Sequence, residues 1–285
     1  MPSEHILSVN DLRLELHPPS LSQPPRQILD GVTFDLARGS SLAILGRTAS
    51  GKSLLLRAIT RFFHELPVRS VEGEIWFEGK NLLRTSNQKL LNIRGARIAY
   101  ILQNAHQNFN ARLSIRQHFD ILLRFNRPKI KDRAAHAIFY LYKVGILDPE
   151  ALIEKRCFPV ELDIETRQLV MIASALACEP RLLIMDEPAA EFDSNTVAHL
   201  VDMLEDLKLE RGMSVLMGTG RVRRAEQFAD LIAVLEKGEL VEIATPRQLF
   251  ESGREDATRA FVDGTLLAGH ERERLVAHYY HSRSD

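Results

Sequence analysis

Residues 42–63 read LAILGRTASGKSLLLRAITRFF. An apolar run stops at Gly46, the eight residues GRTASGKS then fit G-x-x-x-x-G-K-[ST], and helical periodicity takes over from Ser53 onward. That spacing has a direct physical cause. A strand ends, the backbone N–H groups of the loop turn inward around an anion, and a helix starts with its positive end toward the same point. Gly46, Arg47, Thr48, Ala49, Ser50, Gly51, Lys52 and Ser53 are therefore the candidate cradle for the phosphates of a nucleotide. Lys52 is expected to reach the β- and γ-phosphates, and Ser53 to offer its hydroxyl to Mg²⁺. A chance glycine-rich turn has no reason to sit between an apolar strand and a helix.

Working outward, RLLIMDEP (181–188) is a second apolar run, ending in Asp186 and Glu187. A buried strand that ends in a carboxylate is where a phosphate loop finds the partner that orients Mg²⁺ or its water shell, here Asp186. The adjacent Glu187 can polarise an attacking water as a general base. Asp-Glu-Pro is also ordinary turn chemistry, and only the phosphate loop upstream favours the catalytic reading.

The rest of the chain places these two segments in an α/β frame. ILSVNDLRLEL (6–16) alternates like a strand before the Pro-rich HPPSLSQPP, and GVTFDLARGSSLAILG reads as two short strands joined at Arg38-Gly39. GEIWFEGKNL is another strand and turn, and from about Arg94 to Ala177 the texture becomes helical. Strand signals return at SVLMGTG and LIAVLEKGELVEI, and residues from about 246 onward read as a helical, polar tail. The expectation is a cassette over 1–245 with a helical subdomain of about 96–176 inserted in it, followed by a tail over 246–285.

Composition narrows the function classes. The 285 residues suffice for a substantial core, and 37 Lys and Arg against 38 Asp and Glu leave a net charge of −1, which gives no electrostatic reason to bind nucleic acid or anionic lipid. No apolar run approaches the roughly 18 residues that span a bilayer, and the first residues lack a signal-peptide pattern. Cys157 and Cys178 match no metal or redox spacing and read as reduced, packed thiols of a cytosolic protein.

Taken together, over roughly residues 6–250, the motif order resembles that of ATP-binding cassette (ABC) ATPases, the nucleotide-binding subunits of membrane transporters. YILQNAHQNFNARLSI resembles the family's glutamine loop, which makes Gln103 the residue that senses metal and water. FPVELDIETRQLVMIASALACEPRLLIMDEP resembles the signature helix followed by the acidic strand, and AAEFD stands at the D-loop with Asp193 as its aspartate. VMIASALACEPRLLI and the tail LFESGREDATRAFVDGTLLAG resemble the dipeptide, oligopeptide and nickel importers, with ILQNAHQNFNA most similar to nickel-import ATP-binding proteins. The resemblance implies a P-loop NTPase (RecA-like) core with an antiparallel β subdomain and a helical insert. It further implies ATP and Mg²⁺ as ligands, a second cassette in a heterodimer, two transmembrane permease subunits and a periplasmic or extracellular solute-binding protein. The location implied is the cytoplasmic face of the inner membrane.

Three departures from the family pattern change the expected chemistry. Asp163-Ile164-Glu165 stand where the signature carries Ser-Gly-Gly, so a carboxylate caps the helix that would otherwise greet the partner's γ-phosphate. Gly220 in SVLMGTGR stands where the switch histidine belongs. No aromatic residue precedes ILDG to stack on adenine, and Arg26 is the substitute by its guanidinium plane. The chain is thus expected to bind ATP well, to turn it over with impaired efficiency, and to complete its partner's site poorly.

Other signals are weaker. His278 and His281 in HYYHS could share a metal on a helix, although a terminal pair is more often solvated surface. RVRRAE (221–226) reads as the exposed start of a helix, and Met171, Phe139 and Tyr140 read as core of the helical insert. The alternatives to a hydrolysing importer subunit are a regulatory cassette that binds ATP and leaves turnover to a partner, and a soluble cassette acting on DNA or ribosomes. The latter would call for tandem cassettes, a long coiled coil or a basic surface, none of which the sequence contains.

Overall fold

The structure, a computed structural model, describes residues 4–18, 24–63, 66–104, 108–189, 192–252 and 258–259. Its first layer is an antiparallel sheet of β1 (His5–Leu16), β2 (Arg26–Ala37), β4 (Val68–Phe77) and β5 (Lys80–Asn81), in the order β2-β1-β4-β5. Between β2 and β4 the chain leaves this sheet for β3 (Ser41–Leu45) and α1 (Lys52–Thr60). A short α2 (Asn87–Leu91) leads to β6 (Ile98–Ile101), then to the helices α3 (Ile115–Asn126), α4 (Arg133–Lys143), α5 (Pro149–Glu154) and α6 (Ile164–Ala177). The chain then returns through β7 (Leu182–Asp186), α7 (Ser194–Arg211), β8 (Ser214–Thr219), α8 (Val222–Phe228), β9 (Leu231–Glu236), β10 (Glu239–Ala244) and α9 (Pro246–Ser252).

The second sheet runs β10-β9-β3-β8-β7-β6, with every pair parallel except β10 against β9. A parallel sheet is covered on both faces, and every residue of β3, β7 and β8 is accordingly buried. Alternation sends Ala43 and Leu45 of β3 to the face under the helical block, and Leu42 and Ile44 to the face shared with α1 and the antiparallel sheet. The α/β class, the antiparallel subdomain and the helical block all match the expectation from sequence.

Helix starts follow capping chemistry. Ser114 and Gln117 form a reciprocal box at α3, and Asp132, Asp148, Asp163 and Asp193 each accept a first-turn N–H at α4, α5, α6 and α7. At the other end of α7, Gly212 takes a left-handed conformation at φ 60°, which stops the helix. In the helical block Phe119, Leu123, Tyr140, Leu141, Val170 and Ala173 are all buried.

Several local expectations need correction. The stretch read as helical from Arg94 begins with a strand, β6, because IAYI pairs in parallel with β7 and buries three of its four residues. The strand before Arg38-Gly39 is not short, since β2 extends back to Arg26 and pairs along most of β1. Tyr140 is core as expected, but Phe139 is 45% exposed, one helical position off the buried stripe, with the Lys143 ammonium 5.5 Å from its ring centre. Met171 is only partly buried. Cys178 is a buried thiol pushed up to about 12 by desolvation, whereas Cys157 is only half-buried. The helix in RVRRAE buries Val222 and Ala225 while Arg221 and Arg223 stay exposed. The pair His278 and His281 lies outside the described residues, as does most of the expected tail.

Candidate phosphate-binding site

The loop from Gly46 to Gly51 follows β3 and is shaped by close approaches that only glycine allows. A Cβ at Gly46 would sit 2.5 Å from Ser50 Oγ and 2.6 Å from the Leu235 carbonyl oxygen, and Gly51 takes φ 107° with 2.9 Å to Leu29. Ser50 N–H donates to the Arg47 carbonyl at 3.1 Å, and Gly238 N–H donates to the Ser50 carbonyl at 3.0 Å. α1 starts at Lys52, one residue earlier than the periodicity suggests, and points its N-terminus into the loop. Lys52 is 8% exposed and folds over the loop, donating to the Gly46 carbonyl at 2.6 Å and the Arg47 carbonyl at 3.0 Å. Burial lowers its pKa, against the opposing pull of Glu187 and Asp186.

Asp186 ends β7 at 1% exposure. Burial raises its carboxyl above the ordinary value, countered by a hydrogen bond from Ser53 and the charges of Lys52 and Arg57, while Glu187 adds to the rise. Its Oδ1 is buried without a hydrogen-bond partner. An orphaned, desolvated carboxylate oxygen next to a hydroxyl suits a hard divalent cation, which takes oxygen donors. Ser53 and Asp186 therefore fit Mg²⁺.

Glu187 follows in a left-handed conformation, φ 49°, with its N–H bonded to the Gly218 carbonyl at 2.9 Å. Both carboxylate oxygens are held. Gly220 N–H donates to Oε1 at 2.6 Å and Thr219 Oγ1 donates to Oε2 at 3.1 Å. Gln103 lies two residues past Ile101, which pairs with Met185, so it sits exposed in a turn at the same edge of the sheet as Glu187. Carboxyl ends of parallel strands are where such sheets bind ligands. The fold thus gathers Lys52, Ser53, Asp186 and Glu187, with Gln103 at the margin.

Asp163, Ile164 and Glu165, expected at the signature position, sit at the start of α6. Asp163 caps α6, accepting from Thr166 N–H at 2.7 Å and from its hydroxyl at 2.8 Å, and these bonds lower the Asp163 pKa. Ile164 is half exposed, and Glu165 Oε1 accepts the Thr196 hydroxyl at 2.7 Å, tying α6 to α7. The N–H of the same Thr196 is capped by Asp193 at 2.7 Å. Beside the phosphate loop, Leu16, Arg26 and Ile28 join Ala49 to Leu54 in lining a pocket of about 240 Å³.

Three residues outside the expected set also shape the site. Thr219 holds Glu187, the Gln168 side-chain amide donates to the Pro188 carbonyl at 3.4 Å, and Arg224 donates to the Phe192 carbonyl at 3.1 Å. Only Thr219 had a signal in the sequence, its position beside Gly220 at the end of an apolar strand.

Known proteins resemble this arrangement. A family model described as ABC transporter matches residues 29–190. The chain is 33% identical over 258 residues to the peptidoglycan transport ATP-binding protein YejF of Agrobacterium fabrum, covering 90% of this chain and 46% of that protein. It is 35% identical over 234 residues to the oligopeptide transport ATP-binding protein OppD of Bacillus subtilis, covering 81% of this chain and 64% of that protein. The chain thus spans less than two thirds of either relative. The fold matches the ATP-binding cassette MJ0796, solved as a dimer bound to ADP and Pi, with a TM-score of 0.74 at 23% identity over 85% of this chain and 99% of that one.

Proposed function

The chain belongs to the ABC transporter family, and from that premise we propose that it is the ATP-binding subunit of a membrane importer of peptides. The carrying observation is the convergence of Lys52, Ser53, Asp186 and Glu187 at one edge of the parallel sheet. Loop N–H groups and the α1 N-terminus receive the phosphates, and Lys52 exchanges its bonds to the Gly46 and Arg47 carbonyls for the β- and γ-phosphate oxygens. Mg²⁺, held by Ser53 and Asp186 with Gln103 near its water shell, would supply charge neutralisation of the phosphates. Glu187 polarises the attacking water.

The oligopeptide-transport relative favours peptides as cargo, and the likeness of the glutamine-loop segment keeps nickel or a metal chelate as the next choice. The subunit would sit at the cytoplasmic face of the membrane with a second cassette, two permeases and a solute-binding protein. No helix among the described residues is long and apolar enough to cross the membrane itself.

A second reading has its own support. Asp163 caps α6, Glu165 is turned onto Thr196, and Gly220 offers no imidazole, so a regulatory cassette that binds ATP while its partner hydrolyses it accommodates the same geometry. Glu187→Gln in the assembled complex separates the two: collapse of turnover supports the hydrolysing subunit, unchanged turnover the regulatory one. Lys52→Ala tests both, since losing a charged phosphate contact is expected to weaken Mg·ATP binding by about tenfold to a hundredfold. Unaltered affinity in equilibrium dialysis would remove the nucleotide site itself.

A further inference from the structure

We infer that Thr219 is the residue that positions Glu187 for water activation. The inference rests on the proposed role of Glu187 as general base. Three strands of the site meet at Thr219, which is 1% exposed. Its carbonyl accepts the N–H of Gly46, the first residue of the phosphate loop, at 3.2 Å. Its hydroxyl donates to Glu187 Oε2 at 3.1 Å while accepting the N–H of Arg221 at 3.1 Å. That incoming N–H fixes the direction of the hydroxyl proton, because an oxygen already accepting from the backbone has its single proton free for the carboxylate.

Thr219 therefore registers the base against the loop that holds the phosphates, in one residue. The main-chain N–H of Gly220 holds the other carboxylate oxygen at 2.6 Å, and the left-handed backbone of Glu187 limits its remaining freedom. Removing the hydroxyl frees Oε2 and orphans the Arg221 N–H, so the carboxylate turns about its bond to Gly220. Misplacement of a reacting group by about 1 Å costs up to about a hundredfold in rate while leaving phosphate contacts untouched.

The test uses the complex that tagged chain brings out of its own membranes, with Mg·ATP turnover measured for wild type, Glu187→Gln, Thr219→Val, Thr219→Ala and Thr219→Ser. The share of turnover that Glu187→Gln removes belongs to this chain's site. Thr219→Val is expected to cut that share by between about tenfold and a hundredfold with KM for Mg·ATP within about twofold, and Thr219→Ser to retain most of it. Thr219→Ala carries the same expectation if the valine variant fails to assemble. A Glu187-dependent share that survives both Val and Ala, or that falls equally in Ser, overturns the positioning role while leaving the general base standing. Turnover indifferent to Glu187→Gln overturns the general base, and with it this inference.

Discussion

Gly220→His tests whether the missing imidazole is what limits this site. A Cβ built at Gly220 meets only Glu187 Oε1 at 3.5 Å and the Gly46 carbonyl at 3.6 Å, both ordinary van der Waals contacts. It therefore points into the space between the Gly46 end of the phosphate loop and Glu187. No left-handed backbone is required there, so replacing glycine should stabilise the fold by about 0.4–1 kcal/mol through the unfolded chain. For a domain of this size that corresponds to an upward shift in Tm of roughly 1–4 °C. A positioned donor at the transferring phosphoryl group contributes on the order of a hundredfold in rate. Single-turnover release of labelled phosphate from Mg·ATP by the assembled complex, with Glu187→Gln as baseline, reads the gain. A variant that folds, binds Mg·ATP as wild type does and shows no rise above wild-type turnover would refute the reasoning.

Two other outcomes follow from charges and caps. Burial raises the Asp186 carboxyl, so protonation competes with Mg²⁺ at a higher pH than for an ordinary aspartate. Mg²⁺-dependent ATP affinity should thus fall on acidification, starting above the usual aspartate range of about 3.9, and Asp186→Asn should flatten that profile in a titration of nucleotide binding. The triple change Asp163→Ser, Ile164→Gly and Glu165→Gly keeps a good cap at the α6 N-terminus, removes its two carboxylates and releases α7. It is expected to raise the turnover that remains in a Glu187→Gln background, because the partner's site then meets an open helix N-terminus. No rise in that background counts against the signature argument.

Legibility followed the range of the interactions. The phosphate-loop motif could be read because one contiguous run supplies the strand end, the glycines and the helix start, and in the structure the backbone is closely approached at Gly46 and Gly51. The Asp163 cap was equally local, since the bonded groups lie three residues apart. The strand at Ile98–Ile101 was missed because four apolar residues carry no period of their own, and only pairing with β7 makes them a strand. Phe139 was misplaced for a related reason. The buried stripe of that helix runs through Ala137, Tyr140 and Leu141, and Phe139 lies on the other side of Tyr140 from Leu141, outside it.

From the sequence alone came an α/β chain, a phosphate-loop motif around Lys52 and an apolar strand ending in two carboxylates. Tertiary structure alone decided how those pieces meet. The order β3-β8-β7 inserts one strand between the loop and the acid, and the end of that strand carries Thr219 and Gly220 to Glu187 across a separation of about 32 residues. The Glu165 link to Thr196 likewise joins two helices 31 residues apart. Hydrogen bonds within a turn are written in consecutive residues, whereas these depend on which strands become neighbours, and burial of both sheet faces determines that.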